Sequence, residues 1–361
     1  LKCLLISSLN KRNSHPCWLG CQLVCRLGSP SRSRTLSLEY RAVQQLRRLS
    51  STLPTRIRQW RLAMYAFCVA SSMPSGALAQ QDLPDSEESW AVARDGWMQQ
   101  LRERTFAGWP KGDLPLEAKT VFEEIHNGVE LRAIEFVSDD DTKLTLYITN
   151  FPGLRTPDLV VLNPLDEEGW EDFLATMRPG FEEELGGEDL PPADEEAFLQ
   201  MKGMYRSFKW SMAYIAPRGI GEPELDAEQQ KLVARELAGK GQTLDAMRVW
   251  DIRRAIQALR DEGDMPETQL WLQAGGRMAG NMLFASLFEP DVHRMDLYDP
   301  PNSLSEGPNL LGTEGVLDMP QVIAMALERS GLIVYEEERS DWSYVTGLAE
   351  KLKWDNSLSI R

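Results

Sequence analysis

The stretch best placed to do chemistry is Gln269–Pro290, QLWLQAGGRMAGNMLFASLFEP. Leu270, Trp271 and Leu272 predict a short buried strand. Ala274, Gly275 and Gly276 predict a tight turn, and Met278, Met282, Leu283, Ala285 and Leu287 form the apolar face of a helix. A strand, a sharp glycine turn and a helix are the frame that lifts a nucleophile clear of a sheet, beside the free amides of the helix's first turn. Serine, cysteine or aspartate belongs at the tip. The residue there is Gly276, which has no atom that can attack a carbonyl.

Other reactive side chains are few. All five cysteines (Cys3, Cys17, Cys21, Cys25 and Cys68) precede Gln80, and their spacing lacks the paired C-x-x-C of a zinc or iron–sulfur site. Beyond Gln80 the only histidines are His126 and His293, so neither a metal nor another cofactor is expected there. The run Asp139-Asp140-Asp141 lacks the spacing of a calcium loop and predicts a solvated turn. His126, among charged neighbours, predicts a surface histidine. Arg218 and Arg277, near the ends of predicted strands, are candidates for holding an anionic group. The competing expectation is ordinary ion pairing in an acidic protein.

Charge divides the chain. It carries 39 basic and 55 acidic residues; 12 of the basic and one of the acidic precede Gln80, leaving 27 and 54 beyond it. A balance of −27 argues against nucleic acid as a partner, and no glycine-rich phosphate loop is present. Within the basic part, Arg56, Arg58 and Arg61 precede the apolar run 62–69 and an A-x-A site at 77–79. That order predicts a secretory signal over 56–79, preceded by a Ser/Arg-rich segment at 1–55, and hence a secreted or periplasmic protein starting near Gln80. No later stretch approaches the ~20 apolar residues of a membrane span. The sequence sets no oligomeric state.

These residues need a scaffold. Residues 80–115 predict a linker and a helix (Trp90–Phe106), and 116–361 a single domain. Val129–Val137 and Lys143–Thr149 alternate and predict an antiparallel hairpin. Asp158–Leu162 and Ser211–Ala216 are continuous apolar runs, as in strands buried on both faces. The acidic stretch Glu182–Glu196 predicts an exposed excursion. Helices are expected over Leu225–Leu237 and, capped by Thr243, up to Arg260. After the glycine turn, strands at Val292–Tyr298, Leu332–Tyr335 and Ser357–Ile360 alternate with helices at Met319–Glu328 and Trp342–Trp354. The pattern predicts an α/β fold: a mostly parallel sheet with helices on both faces and an antiparallel leading hairpin.

Four segments carry a family resemblance: Ala216-Pro217-Arg218-Gly219 after a strand, Met247–Ala255 (MRVWDIRRA), the glycine turn, and Leu317–Pro320 (LDMP) before a helix. In this order they resemble secreted bacterial α/β-hydrolases of the acetylxylan-esterase and dienelactone-hydrolase group, over Phe106–Trp354. The resemblance implies carboxylic-ester hydrolysis, with serine at the position of Gly276 and glycines at those of Ala274 and Met278. It implies an acid after the strand Leu332–Tyr335, where Asp341 stands, and a base histidine past the last strand; no histidine follows His293. It further implies an oxyanion site from the Arg277 amide and the loop Asn163–Leu165, where Asp166, Glu167 and Glu168 would oppose developing negative charge. The expectation is an esterase-like fold without serine-hydrolase activity, binding a carbohydrate ester or other small ligand through the inherited cleft. Two alternatives stand beside it: an ester hydrolase using a carboxylate such as Asp166, Glu167, Asp299 or Asp341, and the non-catalytic half of a longer protein.

Overall fold

The computed structural model describes residues 83–361, apart from 113, 188–189, 222–226, 262–264, 337–339 and 357. The signal, the Ser/Arg-rich segment and the cysteines lie outside the described residues. Ser86 caps the first helix, α1 (Glu87–Gln100), with a reciprocal bond pair to Ser89, and the helix continues into a π-helical turn, Leu101–Thr105. Strands β1 (Lys119–His126), β2 (Val129–Asp139) and β3 (Thr142–Asn150) pair antiparallel. Next come β4 (Leu159–Pro164), α2 (Glu167–Phe181), α3 (Glu195–Ser207), β5 (Trp210–Ile215), α4 (Ala227–Gly239) and α5 (Leu244–Asp261). The glycine turn joins β6 (Gln269–Gly275) to α6 (Gly276–Ser286). The rest is β7 (Val292–Tyr298), α7 (Met319–Leu327), β8 (Gly331–Tyr335), α8 (Ser343–Leu352) and β9 (Leu358–Ile360).

The nine strands are ordered β1-β2-β3-β5-β4-β6-β7-β8-β9. From β5 to β9 every pairing is parallel. The predicted hairpin is present, with β1 as an additional antiparallel edge strand. Two more elements differ from expectation. Residues 167–181 and 195–207 are helices, begun by side-chain caps from Asp166 and Asp194. The acidic stretch between them is tied down: the Arg178 guanidinium donates to the carbonyls of Leu190 and Pro191.

The first face of the sheet is covered over β2–β8. Leu270, Leu272, Met295, Leu297, Leu332 and Val334 pack beneath α5, α6, α7 and α8, and Trp90 and Leu101 extend that core to α1 and its π-turn. The second face is covered in part. Phe173, Met177 and Phe181 of α2 and Phe198, Met201 and Tyr205 of α3 close over Val129, Leu131 and Tyr214. Over β6–β9 no described helix joins a buried apolar cluster on that face, and Trp271, Gln273, Arg294, Tyr298, Ile333 and Tyr335 remain half-buried. Their types suit partial exposure: Arg294 pairs with Asp296 at 2.7 Å and lies 4.2 Å from the Trp271 ring centroid. No described helix is long and apolar enough to cross a membrane.

Candidate functional site at the end of β6

The turn after β6 has the backbone of a nucleophile-presenting elbow. Gly275 is extended (φ −114°, ψ 161°), and Gly276 enters the left-handed region at φ +49° as α6 begins. That φ strains any side chain but suits glycine. A Cβ built on Gly276 would meet nothing within 4 Å, so the position faces open space. The first amides of α6, Arg277's among them, have no acceptor within the helix.

A cleft of about 300 Å³ opens beside this turn. It is lined by Asp166, Glu167 and Glu168 from the start of α2, by Arg248 of α5 and Arg277, and by Ile220, Met278 and Asn281. Two carboxylates already serve the backbone: Asp166 accepts the Gly169 amide at 2.9 Å and Glu167 accepts that of Gly221 at 3.1 Å. Arg277 is 59% exposed, and its nearest carboxylate, Asp245, stands 4.0 Å away. Gly307 leaves it room, since a Cβ there would come within 2.8 Å of Arg277 Nε. Arg248 was not singled out in the sequence, where it is one arginine among several on a helix. Burial, aided by the like charge of Arg277, lowers its pKa against the pull of Asp245, Glu167 and Asp251.

The other elements expected of an ester-hydrolysing site are not gathered here. Asp341 is fully exposed, and hydrogen bonds from the Ser343 side chain and from its amide, at 2.9 Å, hold its carboxylate below the ordinary aspartate range. It steadies the start of α8. Glu336, directly after β8, is likewise occupied by the Trp342 indole at 3.1 Å and the Ser340 amide at 3.2 Å. His293 is exposed near the start of β7, at the end of the sheet away from the elbow, and His126 pairs with Glu184 at 2.9 Å beside α2. The loop after β4 supplies no oxyanion donor from Pro164, which has no N–H, or from Leu165, whose amide is bonded to the Ile215 carbonyl at 2.9 Å.

Arg218, expected as a holder of an anionic group, is engaged by carboxylates of the protein itself. Its guanidinium reaches both oxygens of Asp251, at 2.8 and 2.6 Å, and Asp139 at 2.8 Å. Asp251 is fully buried and also accepts the Ser138 hydroxyl at 2.5 Å. Burial works against the Arg218 charge, yet the two carboxylates more than offset it and its pKa is raised. Arg218 thus clamps the β2–β3 turn to α5, and Asp139 is one of its partners. Among the described residues no group of His, Cys, Asp and Glu is arranged to hold a metal ion.

With this geometry in hand, similarity to solved structures is informative about the fold. A Bacteroides fragilis protein assigned as an acetyl xylan esterase superposes with a TM-score of 0.59, at 12% identity, over 76% of this chain and 75% of its own. A methylesterase gives 0.50 at 10% identity, over 77% and 60%. A glucuronoyl esterase from Solibacter usitatus gives 0.49 at 12% identity, over 73% and 81%. No family model and no curated protein sequence matches the chain. The strand order, the parallel sheet and the likeness to the first two of these structures define the α/β-hydrolase fold. Those two are named an acetyl xylan esterase and a methylesterase, at identities that speak for the fold alone.

Proposed function

We propose that this chain is an exported α/β-hydrolase-fold protein that binds a carbohydrate ester or similar small ligand in the cleft beside Gly276 and does not hydrolyse it through a serine. One observation carries the reading: the elbow is intact in backbone and open above, but its tip is a glycine. Acyl transfer needs an attacking atom, a base to deprotonate it and donors for the oxyanion. The tip lacks the first. No described imidazole stands near it, and the Leu165 amide is already bonded. The cleft itself persists, with an exposed guanidinium and three carboxylates able to meet hydroxyl groups.

The test uses the full chain. A fluorophosphonate probe, which labels activated serines, should leave it unmodified, and p-nitrophenyl acetate should not be turned over above background. An acetylated xylo-oligosaccharide should bind by calorimetry and lose that binding in Arg277→Ala. Serine labelling, or turnover abolished by Asp341→Asn, would overturn the non-catalytic reading. Export rests on the signal pattern over 56–79; N-terminal sequencing of the protein recovered from the periplasm or medium should begin near Gln80.

A further inference from the structure

We draw no further inference here: the strongest candidate, the half-buried aromatic patch of Trp271, Tyr298 and Tyr335 on the second face of the sheet over β6–β8, carries nothing because nothing in the structure shows what covers it.

Discussion

Arg218 and Arg277 both follow a strand that ends at the cleft side of the sheet, and both stand near a carboxylate of α5. Their fates differ because of what lies beneath them. Under Arg218, Asp251 is fully buried with both oxygens turned to the guanidinium, and Arg218 is only 15% exposed. Under Arg277, Asp245 is already engaged by the Asn309 amide at 2.7 Å and the Asn281 side chain at 3.3 Å, so the arginine stays 4.0 Å off and 59% exposed. Position after a strand does not make an arginine a ligand-holder. The state of the nearest carboxylate decides how exposed the arginine stays.

The largest expected effect breaks the buried member of this comparison. Asp251→Ala leaves Arg218 buried with one remaining partner and the Ser138 hydroxyl without its acceptor; removing one side of such a pair typically costs about 3–5 kcal/mol. Chemical denaturation should show that loss at an unchanged slope, and a loss under about 1 kcal/mol would show that the clamp is dispensable. Acid should then sharpen the contrast. Burial raises the pKa of Asp139, but the Arg218 charge and hydrogen bond outweigh it, leaving it below 3.8. A carboxylate depressed in the folded state adds stability above its unfolded pKa and loses it as pH falls through the folded value. Asp139→Asn should therefore flatten the fall in melting temperature between about pH 5 and pH 3. An equally steep fall would place the acid sensitivity elsewhere. The smallest expected change is Arg277→Ala, which should shift stability by no more than about 0.5 kcal/mol while removing ligand binding in the cleft. A larger loss of stability would make Arg277 a second clamp.

Much of this architecture was legible because its signals are local. The turn carries glycine at the positive φ of Gly276, the long helix α5 carried both its apolar stripe and its Thr243 cap, and β4 and β5 read as unbroken apolar runs. Other elements hid for physical reasons. The starts of α2 and α3 are rows of carboxylates, which stabilise a helix N-terminus but resemble a solvated loop when met as composition. β1 is an edge strand with Val121 and Ile125 exposed, so no buried face marked it. The site was half legible. Gly276 and Arg277 stand in a local motif that the sequence displays. Arg248 comes to the cleft only through the packing of α5, and the capture of the Leu165 amide by Ile215 depends on a neighbouring strand.

The partly uncovered second face of the sheet has a thermodynamic consequence. Strands β6–β8 bury Leu270, Leu272, Met295, Leu297, Leu332 and Val334 on one side only, while Trp271, Arg294, Tyr298 and Tyr335 already meet water in the folded state. Unfolding this quarter of the domain therefore hydrates less new apolar surface than unfolding the doubly covered half around β4 and β5. Both the denaturant dependence of stability and the heat-capacity change scale with that newly exposed surface. The molecule should thus have a shallower stability curve than an equally long chain whose parallel sheet is covered throughout, and hydrogen exchange should find β7 and β8 opening before β4 and β5.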